Sequence, residues 1–162
     1  MGDTIVIRAA VDRDVPAMAS IRANDSQSQD FWEDRIRAYL EGTHSPQQAL
    51  PERACWVAVH GEQVVGFVAG HRTRRFECDG ELQWIDVVAG FRGRGVAHRL
   101  IALALSWFRS QGMHRICVNV SSENAPARHL YAMNGAIPLS AGWMEWRDLR
   151  QSGLVPAAAH EN

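Results

Sequence analysis

The sequence contains no lysine, and all 17 of its basic residues are arginines. Against 18 acidic residues they leave a formal net charge of −1 at pH 7. Proteins that bind nucleic acids through the phosphate backbone need a strong positive excess, so we expect no nucleic-acid partner. The chain also lacks a run of about 18 apolar residues, so we expect no membrane-spanning helix.

Cysteine is scarce as well, and the chain has only Cys55, Cys78 and Cys117. An odd number without paired spacing argues against a disulfide framework or a zinc site, and we expect no bound metal. Cys55 and Cys117 lie in apolar, strand-like runs, which predicts buried free thiols. The N-terminus has no signal-peptide pattern, so we expect a soluble, cytoplasmic protein.

The length of 162 residues and the 46% hydrophobic content predict one domain over 1–150, followed by a C-terminal tail over 151–162. Hydrophobic periodicity and turn residues predict the order β-α-α-β-β-β-α-β-α-β-β, which is an α/β fold with a mixed sheet and helices on both faces. Strands are predicted at 4–8, 56–59, 64–69, 82–88, 116–120, 137–139 and 143–146, and helices from Asp12 and over 30–40, 96–110 and 124–134, with a loop over 41–53.

The most informative stretch is 91–97, FRGRGVA, which lies between a predicted strand and a predicted helix. A glycine-rich turn into a helix offers backbone N–H groups without intrahelical partners, and the helix dipole adds partial positive charge. Gly93 and Gly95 allow a ligand to approach the backbone, and Arg92 and Arg94 add two cations. The stretch therefore predicts a diphosphate site, and the alternative is a tight turn with solvated arginines.

The spacing discriminates among diphosphate ligands. A nucleoside-triphosphate loop needs a lysine, and a dinucleotide fingerprint needs a third glycine where this chain has His98, so a nucleotide-binding protein is disfavoured. The motif Arg92-x-x-Gly95-x-Ala97 instead resembles the acyl-CoA pyrophosphate loop, [QR]-x-x-G-x-[GA], of the GNAT superfamily of N-acetyltransferases.

A second motif follows at the expected distance. Residues 118–135 resemble the GNAT pattern N-x-x-A-x-x-L-Y-x-x-x-G, with Asn124, Ala127, Leu130, Tyr131 and Gly135 in its fixed positions. The resemblance implies a mostly antiparallel twisted sheet whose fourth and fifth strands part to admit acetyl-CoA. It further implies pantetheine pairing with the backbone of Ile85 and Val87, pyrophosphate binding by the N–H groups of Gly93, Arg94, Gly95, Val96 and Ala97, and a pantetheine contact from Asn124.

Acetyl transfer to an amine requires removal of a proton from the amine and benefits from a proton on the leaving thiolate. Tyr131 matches the family tyrosine that points at the thioester sulfur, so we expect it to be the acid; the alternative is a core tyrosine. Glu81 matches the glutamate base of the histone-acetylating branch, with Asp86 second and a water chain third. Strand alternation predicts Glu81, Ile85 and Val87 on one face and Asp86 on the other.

These features favour an acetyl-CoA-dependent N-acetyltransferase that acts on a primary amine of a small molecule or peptide by direct transfer in a ternary complex. The alternative is a degenerate acyl-CoA-binding sensor or interaction module, and a homodimer is compatible with either. Residues 24–40 and 141–146 are expected to bind the acceptor. In these segments and in the fourth strand, four tryptophans are candidates for an aromatic wall, although we favour the alternative that each is a core residue: Trp32, Trp84, Trp143 and Trp146.

Overall fold

The computed structural model describes residues 4–151, which form a seven-stranded sheet covered by helices on both faces. The elements are β1 (Ile5–Ala9), α1 (Val15–Arg22), α2 (Gln29–Glu41), β2 (Ala49–His60), β3 (Gln63–Thr73), β4 (Gly80–Val87), α3 (Val96–Ser110), β5 (Ile116–Asn119), α4 (Ala125–Met133), β6 (Ile137–Ser140) and β7 (Trp143–Trp146). The predicted tail over 151–162 lies outside the described residues except for Gln151.

The strand order is β1-β2-β3-β4-β5-β7-β6, and every neighbouring pair is antiparallel except β4 and β5. This confirms the predicted α/β class with a mostly antiparallel sheet. One core cluster lies between the sheet and α3 and α4, and a second lies between the sheet and α1 and α2. The sheet is thus buried on both faces, as a mixed sheet between helical layers requires.

Two predictions about the first half of the chain are wrong. The loop predicted over 41–53 ends early, because β2 begins at Ala49 and pairs with the far end of β3. This stretch is polar and lacks alternation, so only its pairing with β3 makes it a strand. Asp12 does not cap α1. The Asp14 carboxylate instead accepts a hydrogen bond from the Val11 N–H at 2.8 Å and a bidentate pair of hydrogen bonds from the Arg8 guanidinium.

A β-bulge in β4 changes which side chains share a face. Ala69 pairs with Trp84 but Gly70 pairs with Leu82, so Gln83 is an extra residue on β4. The predicted alternation is therefore wrong for Glu81, which lies on the α1–α2 face together with Trp84. The extra residue reverses the side-chain direction between the two ends of the strand.

Close packing of α3 against the sheet depends on two glycines. A Cβ atom built at Gly80 would lie 2.7 Å from the Phe108 ring and 2.9 Å from the Ile116 side chain. At Gly70 the same addition would lie 2.6 Å from Phe108. Phe108 is fully buried, so the absence of side chains at these glycines lets an aromatic ring rest directly on the backbone of the sheet.

We expect Gly80→Ala to lower the free energy of unfolding by about 1–3 kcal/mol, because the added methyl overpacks a closed core. The matched control is Gly90→Ala, since nothing lies within 4 Å of a Cβ atom at that position. Urea denaturation of both variants measures the difference. Equal stability of Gly80→Ala and Gly90→Ala would show that Phe108 can move away without cost.

Candidate active site

The site begins where β4 and β5 separate. They pair in parallel at three positions only: Gly80 with Ile116, Glu81 with Cys117, and Leu82 with Val118. Beyond this point a cavity of about 640 Å³ opens between β4, the start of α3 and α4. Its lining residues are Ile85, Asp86, Val87, Phe91, Arg92, Gly93, Gly95, Val96, Ala97, His98, Asn124, Pro126, Ala127 and Leu130.

The glycine-rich turn forms one end of this cavity. Gly93 and Gly95 have φ angles of +77° and +80°, a left-handed conformation that side chains with a Cβ atom rarely adopt. The hydrogen bond from the Arg99 N–H to the Gly95 carbonyl closes the first turn of α3. The N–H groups before Arg99 therefore have no partner within the helix, and they form an anion site at its positive end.

The two arginines of the turn have different roles in the structure. Arg92 donates from Nε to the Val87 carbonyl at 2.9 Å, which ties the turn to the end of β4. The Arg94 guanidinium lies 4.7 Å from the centre of the Phe91 ring, and Arg94 is not among the residues that line the cavity. The predicted phosphate-binding stretch is thus brought together at one end of the gap, with Arg94 beside it.

The second motif supplies the opposite wall through α4. Asn124 accepts the Ala127 N–H at 3.2 Å, so the predicted N-cap is confirmed, and its side chain also lines the cavity. Tyr131 is only 6% exposed, is not among the residues that line the cavity, and packs edge-on against Trp146, 5.9 Å between ring centres. Burial raises the pKa of Tyr131 to about 12, with a further contribution from the nearby Asp86 carboxylate. The hydroxyl is therefore protonated at neutral pH.

Asp86 is the carboxylate that lines the cavity. Its Oδ2 atom accepts a hydrogen bond from Nη1 of Arg22, the last residue of α1. Burial raises the pKa of Asp86 above its ordinary value of 3.8, and the Arg22 charge opposes that shift. A carboxylate with a raised pKa at the edge of a cavity is suited to accept a proton.

Glu81 occupies a different environment, at the closed end of β4. It is 4% exposed and is not among the residues that line the cavity. Its Oε1 atom lies 3.2 Å from Nε of Arg75 and 3.6 Å from Nε2 of His71, whose Nδ1 atom contacts the Tyr39 hydroxyl at 2.8 Å. These contacts give Glu81 a structural role in a buried polar cluster.

The four tryptophans do not form one wall, which corrects that prediction. Trp32 and Trp84 meet edge-on at 6.0 Å on the α1–α2 face, near Asp86. Trp146 belongs to the opposite core, and Trp143 packs against Phe76 at the end of the sheet.

Sequence reasoning missed Arg22 entirely. Its guanidinium lies 4.5 Å from the centre of the Trp32 ring and 5.6 Å from that of Trp84. No sequence signal marks this arginine, because its partners come from α2 and β4.

The described residues hold no cluster of three or more His, Cys, Asp or Glu suited to a metal ion. Across the same residues, no helix is both long and apolar enough to cross a membrane. The three cysteines are buried and unpaired, which confirms the prediction for Cys55 and Cys117.

Comparisons with known proteins agree with this geometry. Streptothricin acetyltransferase from Escherichia coli is 29% identical over 100 residues, which cover 62% of this chain and 56% of that protein. An N-acetyltransferase from Staphylococcus aureus Mu50 superimposes with a TM-score of 0.70 at 17% identity, over 91% of this chain and 99% of that one.

The PaiA N-acetyltransferase from Thermoplasma acidophilum, whose structure was solved in complex with coenzyme A, gives a TM-score of 0.66 at 12% identity, over 89% of this chain and 99% of that one. These structural likenesses establish the fold. Residues 19–136 match the sequence family described as the acetyltransferase (GNAT) family. Since that match covers well over half of the sequence, this chain belongs to the GNAT acetyltransferase family.

Proposed function

We propose that this protein transfers an acetyl group from acetyl-CoA to a primary amine by direct transfer in a ternary complex. The observation that carries the proposal is the gap between β4 and β5, which has an anion-binding turn at one end and the Asp86 carboxylate on its wall. A thiol-release assay with acetyl-CoA and a panel of amines tests it.

The gap suits acetyl-CoA in shape and charge. Residues 93–97 offer N–H donors to the pyrophosphate. The edge of β4 at Ile85 and Val87 has no β5 neighbour, so this edge can pair with the pantetheine amides, although the Val87 carbonyl already accepts a hydrogen bond from Arg92. Asn124, on the α4 side, is placed to contact the same arm.

The chemistry follows from Asp86, which lines the gap, and from Tyr131, which is buried on α4 behind the lining residues Ala127 and Leu130. The acceptor ammonium gives one proton to Asp86, which passes it to water. The neutral nitrogen attacks the thioester carbonyl carbon, a C–N bond forms, and the C–S bond breaks. Tyr131 donates a proton to the leaving thiolate and recovers one from the nitrogen, so the products are an N-acetyl amine, the CoA thiol and one proton.

Asp86 fits the role of base better than Glu81 does. Asp86 lines the cavity, and its charge adds to the effect of burial in raising the pKa of Tyr131. Glu81 is engaged by Arg75 beside the paired part of β4 and β5. The resemblance favoured Glu81 by its match to the family's glutamate base, but Glu81 lies at the closed end of β4, where β4 and β5 are paired.

The panel assay also separates an enzyme from a degenerate module. Thiol release that depends on an added amine supports catalysis. Stabilisation by acetyl-CoA, without release of the CoA thiol in the presence of any amine, would favour the acyl-CoA sensor. Better stabilisation by ATP or NAD would reject both the enzyme and the sensor.

We expect Gly95→Asp to remove most of the rise in melting temperature that acetyl-CoA produces. A ligand at about 100 times its Kd stabilises the folded state by roughly 2.7 kcal/mol, and an aspartate carboxylate would repel the pyrophosphate. Differential scanning fluorimetry measures the shift. Gly112→Asp is the matched control, because Gly112 has a φ of +79° and lies beyond the opposite end of α3. A full acetyl-CoA shift in Gly95→Asp would place the pyrophosphate elsewhere.

We expect Tyr131→Phe to lower turnover by roughly 10²–10⁴-fold, the usual contribution of general acid catalysis. The ring that packs on Trp146 is kept, so the affinity for acetyl-CoA should stay near that of the wild type. Turnover at saturating substrates and a separate binding titration give the two quantities. Unchanged turnover, with chemistry shown to be rate-limiting, would contradict the acid role.

We expect Asp86→Asn and Glu81→Gln to have opposite effects. Burial places the folded-state pKa of Asp86 above its unfolded value, so this group stabilises the fold only when it is protonated, at low pH. At neutral pH the charged carboxylate costs stability. Asp86→Asn should therefore keep the melting temperature and lose turnover, most strongly at low pH, where less of the amine is neutral.

Glu81→Gln is the matched comparison, since it breaks the buried contact with Arg75. It should lower the free energy of unfolding by about 1–3 kcal/mol and leave a pH–rate profile parallel to that of the wild type. Melting curves and pH–rate profiles of both variants test the pair. The reverse pattern would make Glu81 the base.

A further inference from the structure

Arg22 is held in a fixed orientation beside the proposed base. Its guanidinium lies 4.5 Å from the centre of the Trp32 ring and 5.6 Å from that of Trp84, and Nη1 donates to Asp86. An arginine stacked on aromatic rings presents its N–H groups in a defined plane. Asp86 lines the cavity, so Arg22 lies one hydrogen bond away from it.

Donors beside Asp86 remain without partners. A guanidinium has five N–H donors, and within residues 4–151 the hydrogen bond to Asp86 is the one that Arg22 makes. Its Nε atom is buried without a partner, and so is Nε1 of Trp32, a residue that is only 9% exposed. Both unpaired groups are donors, so the group that would complete this site is an acceptor of hydrogen bonds.

The charges of Arg22 and Asp86 further restrict the class of ligand that fits the site. Asp86 attracts an ammonium group, and Arg22, whose side chain is 24% exposed, attracts an anion. A polyamine would bring only positive charge next to the Arg22 guanidinium, and a peptide N-terminus has no carboxylate beside its amine. A free α-amino acid carries both charges on neighbouring groups and matches the pair.

We infer that the acceptor is an amine with a carboxylate beside its nitrogen, as in a free α-amino acid, and that Arg22 binds that carboxylate. The inference rests on the proposed function, because it specifies the acceptor at the same site. Arg22 is thus a specificity-determining residue.

The test compares amino acids with the same molecules lacking the negative charge. Thiol release is measured with glycine, leucine, methionine and phenylalanine, each beside its carboxamide, and with phenethylamine and spermidine. We expect kcat/KM to be about 10- to 100-fold higher for the best amino acid than for its carboxamide, the usual effect of a charged hydrogen bond.

Arg22→Met should abolish that preference mainly by raising KM for the amino acid, and Arg22→Lys should keep part of it. Any effect through Asp86 would change all acceptors in proportion, so the ratio of amino acid to carboxamide is the diagnostic quantity. Arg35→Met is the matched control, because Arg35 also stacks on an aromatic ring, that of Phe31, but does not contact Asp86. It should keep the wild-type ratio.

Three outcomes would overturn the inference. In the first, the wild type uses carboxamides or spermidine as well as it uses amino acids, in which case N-acetyl transfer stands and only the acceptor class is wrong. In the second, Arg22→Met retains the wild-type ratio. In the third, no amine in the panel leads to release of the CoA thiol, and both the proposed function and the inference are rejected. The wild-type ratio of kcat/KM for an amino acid to that for its carboxamide tests the acceptor class even if Arg22→Met does not fold.

Discussion

The separation of β4 from β5 is the constraint on which the rest of the structure depends. Two parallel neighbours cannot be joined by a tight turn and need a crossover connection, which α3 provides here. The strands pair at only three positions, so the remaining edge of β4 is left without a strand partner. The same crossover places the positive end of α3 at the open end of the gap, so one topological feature supplies both the space and the anion site.

The two carboxylates of β4 differ in environment because they lie at opposite ends of the strand, although the bulge at Gln83 puts both on the same face. Glu81 and Asp86 both lie on the α1–α2 side, but Glu81 lies deep, in contact with Arg75 and His71, whereas Asp86 lines the cavity. One carboxylate forms an ion pair with the partly exposed Arg75. The other has a pKa raised by burial and is the base that we propose. Similar side chains on one strand acquire different roles because their surroundings differ.

Much of this fold could be predicted from the sequence, wherever the signal was local. The helix predicted over 96–110 has the same bounds in the structure, and Asn124 caps α4 as expected, because periodicity and capping depend on residues close in sequence. The glycine-rich turn was recognisable because Gly93 and Gly95 adopt left-handed conformations that few other residues tolerate. The start of β2 at Ala49 was not predictable, since its partner on β3 is Thr73.

The same difference between local and long-range signals applies to the candidate site. The sequence by itself determined the family, the glycine-rich turn as a candidate phosphate site, and Tyr131 as the candidate acid, because each is encoded by a short motif. Only the tertiary structure decided which carboxylate reaches the cavity and which cation accompanies it. Arg22 and Asp86 are 64 positions apart, and they meet because α1 packs against β4. No local pattern records such a contact, since it depends on how whole elements pack.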